Sequence, residues 1–152
     1  MKRRFKVYLD TSVISALFDE RNPERKSLTS IFFREIDDFE PYISDIVIME
    51  IEKTPDLELQ DKMKKISSKI SILNLTDDVE PLANEYIRHG MIPDDYQEDA
   101  YHIAIAAINQ MDYLLSWNFK HIVRMKTKDI VRMVNTIYGF RHIEIITPAE
   151  LL

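Results

Sequence analysis

Three acidic residues stand where the surrounding sequence is built for a core. They are Asp10 in VYLDTSVI, Glu50 in IVIMEIEK and Asp99 in EDAYHIAIAA. An ionised carboxylate in such surroundings needs a partner. Carboxylates close together repel, and in a medium of low dielectric they take up protons or bind a cation. A cluster of carboxylates suits Mg²⁺ or Mn²⁺, which prefer hard oxygen ligands and keep several waters. Each acid also has a plainer use. Asp10 can cap the helix that follows it, Glu50 can face solvent, and Asp99 can sit favourably in the first turn of a helix. It is the three together, near one sheet edge, that favour cation chemistry.

The elements that must position these acids can be read from periodicity. Residues 5–9 form an apolar strand, and Asp10-Thr11-Ser12 feeds it into a helix over 13–18. Pro23 suits the first turn of a helix that runs to about residue 36, with Leu28, Ile31, Phe32 and Ile36 on one face. A second strand spans 40–43, and Ser44 caps the helix that carries Val47, Ile48, Glu50 and Ile51. A polar helix over 56–68, a strand over 70–73 and a helix capped at 76–78 follow, with Gly90 as the C-cap of the last. The small-residue helix that carries Asp99 leads into a strand over 113–116, then a helical turn over 118–125, a helix over 128–138 and a strand over 143–146. Apolar strands alternating with helices predict an α/β domain, a three-layer α/β/α sandwich around a mostly parallel sheet of four to five strands. Ligands of such sheets bind beyond the carboxyl ends of the strands. Asp10 and Asn118 fall just past two strands, and Glu50 lies on the helix after a third. The rule does not fix Asp99, which lies on a helix leading into a strand.

Composition removes several classes of function. At 152 residues the chain reads as a single domain, 1–152, able to bury roughly 70% of its unfolded surface. It has no cysteine, which excludes disulfide scaffolds and thiolate metal sites. Two glycines are too few for a phosphate-cradling loop, so P-loop and dinucleotide fingerprints are both missing. The basic start, MKRRFKVYLD, is followed by too short an apolar run for a signal peptide or a membrane span, and a soluble cytoplasmic protein is expected. A net charge of −6 argues against gripping nucleic acid by bulk electrostatics. A local basic rim is compatible with it, and Lys120, His121 and Arg124, with Lys126 and Lys128, are the candidates for phosphate contact. The same run is equally a solvated face.

In this order, LDTSVI, SDIVIMEI, DAYHIAIAA and DYLLSWNFKHI resemble the four signature blocks of the PIN domain, and the likeness continues to the closing IEIITPAELL. The resemblance implies a divalent-metal-dependent ribonuclease, a family that includes many toxins of type II toxin–antitoxin pairs. It implies a small antitoxin partner, a homodimer, and an acidic pocket for one or two Mg²⁺ or Mn²⁺ ions. It maps the first three acids onto Asp10, Glu50 and Asp99, while the fourth position, often Asp, falls on Asn118. A neutral ligand there favours one metal with a water-mediated contact from Asn118, and Glu98 and Asp95 add charge nearby. Asp10 and Asp99 would hold the metal and Glu50 would orient or deprotonate a water or complete the shell, with in-line attack leaving a 5′-phosphate and a 3′-hydroxyl. Thr11 or Ser12 would fix the rotamer of a ligand carboxylate. His102, one turn after Asp99, is expected to pack the helix core, and Trp117 to close its strand. Two rival readings remain: a PIN fold that binds RNA or protein without cutting, and a metal-dependent phosphatase, which would want a second Asp close after Asp10.

Overall fold

The computed structural model describes residues 3–152. Five strands form one sheet: β1 (Lys6–Leu9), β2 (Glu40–Ser44), β3 (Ser71–Leu73), β4 (Tyr113–Leu115) and β5 (Glu144–Ile146). Their order is β3-β2-β1-β4-β5 and all pairings are parallel. Seven α-helices lie among the described residues: α1 (Thr11–Ala16), α2 (Pro23–Arg34), α3 (Asp45–Glu52), α4 (Leu57–Ser67), α5 (Val79–Arg88), α6 (Gln97–Ile108) and α7 (Met125–Ile137).

Successive strand residues point to opposite faces. Val7, Tyr8 and Leu9 of β1 are all fully buried, so both faces of the sheet are covered. With right-handed crossovers, the outward path β1 to β3 puts α1–α4 on one face and the return through β4 and β5 puts α5–α7 on the other. The packing agrees: α1 touches α2, α3 and α4, while α5 touches α6 and α7. The three-layer α/β/α sandwich expected from the alternation is therefore the observed fold. α6 lies against the sheet with Ala100, Ile103, Ala104, Ile105 and Ala106 fully buried, which is why its sequence is apolar all round.

Most element boundaries fall within a few residues of the sequence expectation. The segment 118–125, expected as a helical turn, forms hydrogen-bonded turns, and α7, expected from 128, starts at Met125. Asn118 holds the turn. Its Oδ1 accepts the backbone N–H of His121 at 2.9 Å, and its carbonyl accepts from Ile122 and Val123 at 3.1 and 2.8 Å. An asparagine that hydrogen-bonds the backbone ahead of it stabilises a turn in competition with a helix. Leu57, although apolar, is 74% exposed because it opens α4 on the solvent side. After β5 the chain ends in a short 3₁₀ turn, Pro148–Leu151, held by a reciprocal capping box between Thr147 and Glu150 and packed on α2.

The chain direction reverses across the sheet between β1 and β4. Their register pairs Leu9 with Leu115, and the Asp10 backbone N–H donates to Leu115 carbonyl at 3.2 Å. This is the switch point of the sheet, where its carboxyl edge opens.

Candidate functional site

Asp10 follows β1 directly and caps α1, so its dual reading from sequence resolves as both a cap and a buried acid. Its Oδ1 accepts from Ser12 Oγ at 2.5 Å and from the Val13 backbone N–H at 3.3 Å, and its Oδ2 accepts from Ser116 Oγ at 2.5 Å. It is 3% exposed. Burial pushes its carboxyl above the usual range, partly opposed by the His102 charge and by the Ser116 and Ser12 hydroxyls. Ser116, just past β4, also accepts the backbone N–H of Asn118 at 2.9 Å, so one hydroxyl ties the ends of β1 and β4 together. Sequence reading passed over Ser116, although a polar residue closing an apolar strand was the available signal.

Glu50 sits two turns into α3, on the face that meets α6. That contact crosses from one helical layer to the other over the carboxyl edge. It brings Glu50 Oε1 to 2.6 Å from His102 Nε2, and Thr11 Oγ1 donates to the same oxygen at 2.8 Å. Burial alone would raise the Glu50 carboxyl, but the hydrogen bond and charge of His102 and the bond from Thr11 outweigh it and hold it below its ordinary value. His102 is 2% exposed. Its burial disfavours the charged ring, and Glu50, Asp10 and Asp99 together reverse that and raise its proton affinity. His102 is thus a core histidine, as expected, and it also bonds Glu50 directly. Its Nδ1 lies 2.6 Å from the Tyr8 hydroxyl, which lies 2.7 Å from Ser44 Oγ.

Asp99 opens α6 and reaches the same region from the opposite layer. Its Oδ2 is 2.9 Å from His121 Nδ1, and Asn118 Nδ2 donates to its Oδ1 at 3.5 Å. Burial pushes its carboxyl up, against the pull of His121 and His102. His121 was expected on a solvent-facing basic rim. It is instead 6% exposed, turned inward onto Asp99 and covered by the Tyr96 ring at a centroid distance of 4.2 Å. Arg124 is also engaged: it donates to the Met91 carbonyl, and its Nε donates to Thr127 Oγ1 at 3.1 Å. Of the five expected rim residues, Lys120 and Lys126 are exposed and Lys128 is half-buried. Trp117 closes its strand as expected and donates Nε1–H to Thr29 Oγ1 at 2.9 Å.

A cavity of about 350 Å³ opens here, lined by Glu50, Lys53, Tyr96, Glu98 and Asp99; Asp10 is buried and outside this lining, next in sequence to Thr11, which bonds Glu50. The donor set is all oxygen and the three acids share one neighbourhood, so a hard divalent cation fits it in ligand type and charge. Among the described residues, no group of three or more histidine, aspartate and glutamate side chains stands as placed in an arrangement that could hold a metal ion. The carboxylates are instead engaged one by one: Asp10 by serines, Glu50 and Asp99 each by a histidine.

Fold and site together define an α/β protein with an acidic pocket at the switch point of a parallel sheet. A family model of the PIN domain matches residues 7–118, and the chain belongs to the PIN domain family. No curated protein sequence matches it. Among solved structures it is similar to VapC20 of Mycobacterium tuberculosis, described as a sarcin-ricin loop cleaving toxin, at 17% identity and a TM-score of 0.56, over 91% of this chain and 98% of that one. It is also similar to VapBC2 from Rickettsia felis bound to a DNA fragment from their promoter, at 13% identity and a TM-score of 0.58, over 92% and 96%. At these identities the likeness establishes the fold. No described helix is long and apolar enough to cross a membrane.

Proposed function

We propose that the protein is a divalent-metal-dependent endoribonuclease and the toxin of a toxin–antitoxin pair. One observation carries this reading: at the carboxyl edge of a PIN-domain sheet, Glu50 and Asp99 line one open pocket, and the buried Asp10 adjoins Thr11, which bonds Glu50. Asp10 and Asp99 would hold Mg²⁺ or Mn²⁺, with Glu50 completing the set. When bound, the ion polarises the scissile phosphate and lowers the pKa of a coordinated water. Glu50, ionised and on the pocket wall, would orient or deprotonate that water or complete the metal shell. Ser12 and Ser116 hold the Asp10 rotamer and Thr11 holds Glu50, the outer-sphere task expected of Thr11 and Ser12. Glu98 lines the pocket and adds negative charge. Lys120 supplies phosphate contact from outside it.

Asn118 uses its carbonyl oxygen on the His121 backbone and turns its amide toward Asp99, which favours one metal over two. The same commitment supports a second reading, a PIN fold that binds RNA or a protein partner without cutting. A small antitoxin, a homodimer and a cytoplasmic location complete the proposal. Incubation of the protein with single-stranded and hairpin RNAs in Mn²⁺ tests it, with EDTA and Asp10→Asn as controls. Cutting that both controls abolish supports the nuclease. RNA binding with no cutting in any metal favours the second reading, and phosphate release from small esters alone points to a phosphatase.

A further inference from the structure

Glu50 is held asymmetrically. His102 Nε2 and Thr11 Oγ1 both bond Oε1, at 2.6 and 2.8 Å. Oε2 has no hydrogen-bond partner among the described residues, and the side chain lines the pocket. One oxygen is anchored and the other is left for chemistry. We propose that Tyr8 and His102 act as a positioning pair that anchors Glu50 through Oε1 and presents Oε2 to the substrate side of the pocket. The proposal rests on the nuclease reading for what Oε2 then does, but not for the anchoring itself.

The hydrogen-bond inventory shows why both residues are needed. Ser44 Oγ already accepts the Ile46 backbone N–H at 3.2 Å, as the N-cap of α3. The Tyr8 hydroxyl lies between Ser44 Oγ and His102 Nδ1. When the ring is neutral, Tyr8 donates to Nδ1, and the ring hydrogen sits on Nε2, facing Glu50. When the ring is charged, both nitrogens donate, Nδ1 to the Tyr8 oxygen and Nε2 to Glu50, and Tyr8 donates to Ser44. The one state excluded is the neutral tautomer with hydrogen on Nδ1, which would set the Nε2 lone pair against a carboxylate. With Glu50 ionised, its carboxylate selects Nε2–H whatever the charge of the ring, and the Tyr8 hydroxyl holds the ring in place by donating to Nδ1 or accepting from it.

The five residues come from separate elements: Tyr8 from β1, Thr11 from α1, Ser44 from the β2–α3 junction, Glu50 from α3 and His102 from α6. A histidine retained for packing alone would not require a tyrosine behind it and a carboxylate in front. Tyr8 and His102 are almost wholly buried and their rings meet edge to face at 5.7 Å, so neither reaches substrate. Their action runs through Glu50.

Two measurements test this. In RNA-cleavage kinetics, Tyr8→Phe and His102→Asn are expected to lower kcat by about tenfold to a hundredfold with KM unchanged, the range for outer-sphere partners of a catalytic group. His102→Gln, whose longer amide reaches the place of Nε2, restores most of the rate. In a Glu50→Gln background, His102→Asn lowers the residual rate no further. A loss that persists in that background, or no difference between the Asn and Gln variants, would overturn the proposal, because a merely structural histidine behaves that way. The second measurement needs no activity. In metal-free protein, the His102 imidazole is expected to show a protonated Nε2 with a downfield, slowly exchanging hydrogen by ¹⁵N NMR, shifted in both Glu50→Gln and Tyr8→Phe. An unprotonated Nε2, or a resonance that neither substitution moves, refutes the anchoring. If the wild type cuts no RNA, the nuclease reading fails and the resonance still decides this one.

Discussion

Asp10→Asn separates the charge of the site from its shape. The substitution is isosteric, and asparagine is as good a helix cap as aspartate. Its Oδ1 can keep the bonds from Ser12 Oγ and the Val13 N–H, which are 2.5 and 3.3 Å in the wild type. Its Nδ2 takes the place of Oδ2, 2.5 Å from Ser116 Oγ. A serine hydroxyl both donates and accepts, so Ser116 turns to accept there. Three hydrogen bonds thus survive, while the burial cost of the charge and the repulsion from Glu50 vanish. Loss of the attraction to His102 offsets part of this gain. The net expectation is about 1 kcal/mol of added stability, inside the roughly 0.5–2 kcal/mol typical when a functional strain is relieved. For a chain of 152 residues that is a rise in Tm of about 2–4 °C, measured by calorimetry in EDTA. Mn²⁺ at about a hundred times its Kd would stabilise the wild type by about 2.7 kcal/mol and the variant far less, so the order of the two Tm values reverses. A variant less stable than wild type in EDTA would refute the claim that the Asp10 charge is held at a cost. An order that does not reverse in Mn²⁺ would refute its part in holding a cation.

Three further outcomes follow from the same geometry. Lys120→Ala should weaken RNA binding and reduce the salt slope by about 1 in a filter-binding titration, whereas Arg124→Ala should lower Tm, because its guanidinium bonds Met91 and Thr127. In EDTA, the His102–Glu50 pair should stabilise the fold within a pH window. The His102 share is full below the unfolded histidine value of about 6.5 and is lost as pH rises through the raised folded value. The Glu50 share is present above its unfolded value and is lost as pH falls through the depressed folded value. The stability difference between wild type and Glu50→Gln should therefore be widest between those limits, and a difference flat in pH would contradict the pairing. Trp117→Phe should cost about 1 kcal/mol by urea denaturation, because it removes the Nε1–H bond that Thr29 accepts.

The sheet was legible because its strands are apolar on both faces and its helices carry clear period and caps, Ser44 above all. Asp10 was legible because it stands directly between such a strand and an apolar helix. Glu50 and Asp99 were found as acids among apolar neighbours, but sequence could not say that two layers meet over the sheet edge to join them. Two features were hidden. His121 follows Phe119 and Lys120 in a basic run, and nothing local distinguishes a ring turned inward from one on the rim. In the 118–125 turn, nothing local shows that the Asn118 side chain bonds the backbone of His121. His102 was read as core, which it is. Its bond to Glu50 spans 52 positions and leaves no local trace.

The pairing of β1 with β4 has a consequence for how the site comes into being. Asp10 meets Ser116 across 106 positions, and Asp99 meets His121 later still. Parallel pairings so distant in sequence form late and slowly, since loop closure must precede the contacts that reward it. During synthesis from the N-terminus, Asp10 leaves the ribosome long before the strand that seats it. An amino-terminal fragment ending before β4 lacks both Ser116, which seats Asp10, and His121, which meets Asp99, whatever helices it has formed. The seats of Asp10 and Asp99 are therefore completed only when β4 and the turn after it join the sheet.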